Sequence, residues 1–344
     1  MRPISFEDDL SQLLDRFEPS MLFDGSAPDD LKAWQDRFRT TLVDLLGIRP
    51  ERTDLSLEFL VETDCGDHTR YRIRYQTEPE VFVPAYLLVP KGIAKGKQVP
   101  GLLCLHGHSQ FGKDSVAGID NSPERKHEID TKQYNYGQKF AEQGYVTLVP
   151  DMRGFGERRP NYPKRRVDYC MRNYLCATLM GTTVVALHLC DLEAALDVLQ
   201  SLESVNGELL GCAGLSLGGR MAMMISAMDP RVKIAVLSGC LSMYQQRYQA
   251  LKRCGAQLIP GLLQYGDTPE IFSLIAPRPM VIEWGLKDRL APHDWAERAL
   301  TRIRRAYEAA GAMDRFFLDR FDAGHQFNME VAREVLDKWR NGDL

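Results

Sequence analysis

Six short, largely apolar runs set the strongest limit on what this chain can fold into: 101–105, 145–149, 209–213, 232–237, 280–284 and 316–321. A strand with one face in water alternates apolar and polar residues, and these runs barely alternate. Both of their faces must be covered, as in a parallel sheet held between helices. Helix-like stretches fall among them, around 132–143, 183–202, 217–228 and 294–310. Strand and helix in alternation predict an α/β fold, with a mainly parallel central sheet and helices on both faces.

Ahead of this region the pattern differs. Leu31, Trp34, Phe38, Leu42, Leu45 and Leu46 recur at helical spacing and Gly47 follows, which predicts an amphipathic entry helix ending there. Residues 55–61 and 71–75 alternate in polarity, and 81–89 is apolar up to Pro90. Short connections suit antiparallel pairing of these three strands. The expected division is an N-terminal helical extension, residues 1–53, and an α/β domain, residues 54–344. Two stretches break the alternation, 154–181 and 241–273. They are expected to be insertions at strand ends that cover a pocket.

Charge and composition remove several classes of function. The 344 residues hold 43 Lys and Arg against 47 Asp and Glu, a net charge of -4, so the basic excess of a nucleic-acid binder is missing. A local basic stretch, Arg153, Arg158, Arg159, Lys164, Arg165 and Arg166, reads as a solvated loop face or as an attraction for an anionic group. Glu7, Asp8, Asp9, Asp15 and Arg16 interrupt the first twenty residues, and no run is long and apolar enough for a bilayer. A soluble, cytoplasmic protein with neither nucleic-acid nor membrane partners is expected. The eight cysteines (Cys65, Cys104, Cys170, Cys176, Cys190, Cys212, Cys240 and Cys254) show no C-x-x-C spacing. They are expected to be reduced thiols packed as small hydrophobes, without a metal.

The chemistry concentrates around Gly214-Leu215-Ser216-Leu217-Gly218-Gly219, which follows the run 209–213 and precedes a helix rich in Met and Ala. A serine on a sharp strand-to-helix turn takes a strained backbone, and its neighbours two away must be small. A serine hydroxyl needs a base to take its proton and a third group to hold that base. His325, just past the last strand, is the candidate base; His68, His127 and His188 are expected to be surface or satisfied interior imidazoles. Asp288, between the fifth apolar run and the next helix, is the candidate orienting acid, with Asp322 as its rival. His106-Gly107-His108 follows the first buried run, where the N–H groups of His108 and Leu217 would face a developing oxyanion. His106 and Arg153 are candidate pocket residues. The His-x-His pair has no third ligand visible in the sequence, so no metal is expected.

These residues resemble the α/β-hydrolase superfamily from about Val81 to the C-terminus. The order Ser216, Asp288, His325 matches the superfamily's order. The entry helix, the strand bounded by Pro90 and Asp151-Met152-Arg153-Gly154-Phe155-Gly156-Glu157 are similar to acetyl xylan esterase-like and dienelactone hydrolase-like esterases. Ser216 stands where a dienelactone hydrolase has cysteine. The resemblance implies a serine carboxylesterase that works through an acyl-enzyme, needs no cofactor and takes a small-molecule ester, acetyl esters among them. The rival expectations are a peptidase or amidase of the same fold, or a noncatalytic binding protein.

Overall fold

The structure, a computed structural model, describes residues 5–160, 169–249 and 254–344. Nine strands form one sheet: β1 (Glu58–Asp64), β2 (His68–Glu78), β3 (Val81–Pro90), β4 (Val99–Leu105), β5 (Val146–Pro150), β6 (Val205–Leu215), β7 (Val232–Ser238), β8 (Met280–Gly285) and β9 (Phe316–Phe321). Their order is β1-β2-β3-β5-β4-β6-β7-β8-β9. The β1-β2-β3 hairpins are antiparallel, β3 also meets β5 antiparallel, and every pairing from β5 to β9 is parallel. All nine strands lie where the sequence places them, although β1 begins three residues later than expected.

The apolar runs are buried on both faces because successive side chains of one strand enter different cores. In β4, Leu103 and Leu105 join a cluster with Phe38, Leu196 and Ile303, whereas Leu102 and Cys104 join one with Phe140, Phe327 and Trp339. This two-residue alternation between two packed layers explains why the runs carry almost no polar residues. The first layer holds the helices Pro28–Leu46, Val184–Ser201, Leu217–Met228 and His293–Ala309; the second holds Tyr136–Glu142 and Glu330–Asn341.

The entry helix covers Pro28–Leu46 and buries Leu31, Trp34, Phe38, Leu42 and Leu46. Gly47 closes it at φ 77°, where a side chain would lie 2.3 Å from the Gly181 carbonyl oxygen. One expected helix is divided: 132–143 contains the end of Pro123–Lys132, a break at left-handed Gln133, and Tyr136–Glu142. Within the stretches read as insertions lie the helices Tyr169–Leu179 and Thr268–Ser273. Among the described residues no helix is long and apolar enough to cross a membrane.

Candidate active site

The turn after β6 carries the local strain that the glycine spacing predicts. Ser216 has φ 64° and ψ -118°, a region that residues with a Cβ rarely occupy. It stands at the N-cap of Leu217–Met228 yet makes no side-chain cap hydrogen bond, so capping does not account for a serine here. The flanking glycines are demanded by contact. A Cβ on Gly218 would sit 1.8 Å from the Leu105 carbonyl oxygen, and one on Gly214 would sit 2.4 Å from the Gly218 backbone. Ser216 N–H donates to Ser238 O at 2.9 Å, which ties the turn to the end of β7.

The loops after β8 and β9 meet at the same edge. His325 Nδ1 lies 2.6 Å from Asp288 Oδ2, and the second oxygen of Asp288 accepts from Leu290 N–H at 2.8 Å. Lys287 N–H bonds to Ala323 O at 2.9 Å, so the two loops are also joined through their backbones. The rival carboxylate, Asp322, instead pairs with Lys287 on the surface. A Cβ on Gly239, directly after β7, would come 2.9 Å from both His325 Cε1 and Leu215 Cδ1. The imidazole therefore lies over the end of β7, beside the residue that precedes Ser216.

The loop after β4 presses on the serine turn. A Cβ on Gly107 would fall 2.8 Å from Leu215 O and 3.1 Å from Ser216 Cβ. Leu217 is the first residue of its helix, so its N–H has no intrahelical acceptor, and the positive end of the helix dipole faces this edge. The arrangement joins a strained hydroxyl, a carboxylate-bound imidazole and backbone donors at the carboxyl ends of β4, β6, β8 and β9.

Two expected pocket residues belong to the scaffold instead. His106 is fully buried; its Nε2 accepts from Met152 N–H at 3.0 Å while Nδ1 lies 2.8 Å from Gly107 O. Burial pushes its pKa down, so the ring braces the β4 and β5 loops as a neutral imidazole. Arg153 is held by Asp191 and Glu78. Arg158 also pairs with Asp191, so these two members of the basic stretch face inward as structural cations; Lys164, Arg165 and Arg166 lie outside the described residues. His68 is buried rather than superficial, and burial lowers its pKa. His188 is buried too, which pushes it down to about 3 and keeps it neutral.

Sequence reasoning missed two features. Glu283, a lone acid in buried β8, accepts from Asn328 N–H at 3.0 Å and Met329 N–H at 2.8 Å, fastening the loop that carries His325. Its only sequence signal is a carboxylate in an otherwise apolar run. The second is a pair of thiols at His108: Nε2 lies 2.8 Å from Cys254 Sγ and 3.4 Å from Cys170 Sγ. Nothing in their spacing announces it. A cavity of about 370 Å³ is lined by Cys254, Tyr244, Phe17 and residues 257–259 and 261–264, without Ser216, Asp288 or His325.

A mainly parallel sheet with this serine turn and the ordered Asp288–His325 pair defines the α/β-hydrolase class. The chain belongs to the Abhydrolase family, which matches residues 2–343. It is 27% identical over 313 residues to the Bacillus subtilis (strain 168) protein named "Putative hydrolase YtaP", covering 88% of this chain and 98% of that one. Its fold is similar to a "putative acetyl xylan esterase" of Bacteroides fragilis, with TM-score 0.76 and 19% identity, covering 93% of this chain and 83% of that chain. It is also similar to a glucuronoyl esterase from Solibacter usitatus, with TM-score 0.64 and 16% identity, covering 89% and 92% of the two chains.

Proposed function

We propose that the protein is a serine carboxylesterase with Ser216, His325 and Asp288 as its catalytic triad. The observation that carries this is the 2.6 Å contact between His325 Nδ1 and Asp288 Oδ2, at the sheet edge where Ser216 is held in its strained turn. A carboxylate at Nδ1 fixes the tautomer that leaves Nε2 free to accept the serine proton. Ser216 Oγ attacks the ester carbonyl carbon while His325 takes its proton. The His108 and Leu217 N–H groups stabilise the oxyanion, and donors of this kind are worth about 2.7 to 4 kcal/mol each in the transition state. His325 then protonates the departing alcohol. Water, activated by the same imidazole, releases the acid and restores Ser216.

Esters of small acyl groups, acetyl esters first, are the substrate class we assign. Similar folds carry the names acetyl xylan esterase and glucuronoyl esterase, both ester hydrolases by name. The segments 154–181 and 241–273 are assigned the role of shaping the pocket. Incubation with a fluorophosphonate should add one covalent label per chain, at Ser216. Ser216→Ala should remain folded and lose at least about 10³-fold in hydrolysis of nitrophenyl acetate. Hydrolysis that survives in Ser216→Ala, or a wild type that takes no label, would overturn the assignment. Matched amides should turn over far more slowly than the esters.

A further inference from the structure

We propose that His108, Cys170 and Cys254 form a binding site for a single zinc-class divalent cation beside the candidate active site. The three donor atoms, His108 Nε2 and the two Sγ atoms, all lie within 4.8 Å of one another. A tetrahedral zinc ion with Zn–S near 2.3 Å and Zn–N near 2.0–2.1 Å holds neighbouring donors roughly 3.5–3.8 Å apart. The observed separations from Nε2, 3.4 Å to Cys170 and 2.8 Å to Cys254, need only a small outward shift to admit the ion. Two sulfurs and one imidazole, with no carboxylate in the set, select zinc-like cations over magnesium or calcium.

The donors come from three separate parts of the chain and each is held independently of any ion. His108 lies in the loop after β4, with its ring edge-on to Phe155 at 5.1 Å between centroids. Cys170 is in the first turn of the helix Tyr169–Leu179. Cys254 precedes Gly255, whose backbone packs directly on that turn. A Cβ on Gly255 would fall 2.5 Å from Cys170 O and 2.5 Å from Tyr174 Cβ. A side chain is excluded from Gly255 by the same approach that brings the thiols together.

Binding requires both thiols to ionise: the cation displaces two protons to solvent and forms two metal–thiolate bonds and one bond to neutral Nε2. The resulting charge is zero. Because binding displaces those two protons, affinity should rise with pH. Three protein ligands leave the fourth tetrahedral position to water. The filled site would staple both segments that interrupt the strand–helix alternation to the loop carrying the His108 N–H.

Cobalt(II) and zinc(II), added to the reduced, metal-stripped full chain, supply the test. Wild type should bind one Co²⁺ per chain with a thiolate-to-cobalt charge-transfer band that Zn²⁺ abolishes, and Zn²⁺ should raise its unfolding midpoint. Cys170→Ser/Cys254→Ser should lose the band and weaken Zn²⁺ binding at least about 100-fold, while unfolding like metal-free wild type. His108→Ala should keep thiolate absorbance but bind Zn²⁺ at least about tenfold more weakly. Absence of the band in reduced wild type, or equal Zn²⁺ affinity in wild type and the double variant, would overturn the proposal. None of these readouts uses ester hydrolysis, so they are independent of the catalytic assignment.

Discussion

Asp288 and Asp322 flank the same histidine loop, and what separates them is the partner each has taken. Asp288 holds the ring nitrogen and is almost fully buried, whereas Asp322 is exposed and paired with Lys287. Asp288→Asn preserves the shape but presents an amide to Nδ1, so it should favour the wrong tautomer and lower kcat by about 10³–10⁴-fold. Asp322→Asn should stay within about twofold of wild type; steady-state kinetics on one ester compares the two, and equal losses would reject the assignment. Glu283 allows a second prediction at this scale. Burial pushes its carboxyl up from about 4.5 to about 7, against hydrogen bonds from Asn328, Met329 and Ser238 that favour the charged form. The folded chain thus holds this proton more tightly than the unfolded chain. The resulting stability is fully present below pH 4.5 and is lost as pH rises through 7. Its size is on the order of 3 kcal/mol. Glu283→Gln should flatten that slope in urea unfolding measured from pH 4.5 to 8, and an unchanged slope would count against it.

At the scale of elements, the turn between β6 and the helix Leu217–Met228 depends on how close three backbones can come. Gly218→Ala places a methyl against Leu105 O, so β4 or the helix must move. Such overpacking costs typically about 1–3 kcal/mol and should slow phosphonate labelling of Ser216 as the His108 loop is displaced. Gly207→Ala, within β6, meets its nearest neighbour, Gln200 Cγ, only at 3.6 Å and should be nearly neutral in both assays. Equal behaviour of the two variants would argue against the close-packed turn as the source of the strain. The elements most legible in the sequence were those whose burial forces a pattern: β4 to β9, the entry helix and the serine turn. The helix Pro123–Lys132 was missed because Ile129 is its only buried residue, so it has no apolar stripe to reveal it. The candidate triad was legible because each member follows a recognisable strand. Glu283 and the His108–Cys170–Cys254 cluster were not, because their partners are fixed only when distant segments pack together.

At the scale of the whole molecule, a buried ionic cluster connects the antiparallel edge of the sheet to the layer of helices below it. Asp191, on Val184–Ser201, accepts from Arg153 Nε at 2.9 Å, Arg158 Nη1 at 2.6 Å and Thr77 Oγ1 at 3.0 Å. Arg153 also reaches Glu78 at the end of β2. One carboxylate thus fixes a helix, strand β2 and the loop after β5, whose Met152 N–H in turn holds His106 beside the serine turn. Burial alone would raise the Asp191 pKa, but Arg158 and Arg153 more than offset it and hold the carboxyl below its ordinary value. Its stability is therefore present above the unfolded-state pKa and is lost as pH falls through the lowered folded-state value. Asp191→Ala leaves two largely buried guanidinium groups without their shared partner, a change that typically costs about 3–5 kcal/mol. Urea unfolding at pH 7 should show a loss of that order, and the gap to wild type should narrow as acid protonates Asp191 in the wild type. A pH-independent gap would mean that lost packing, rather than charge, accounts for the effect. Arg153→Lys should recover only part of the wild-type stability, because an ammonium cannot reproduce the forked guanidinium contacts to Asp191 while also reaching Glu78.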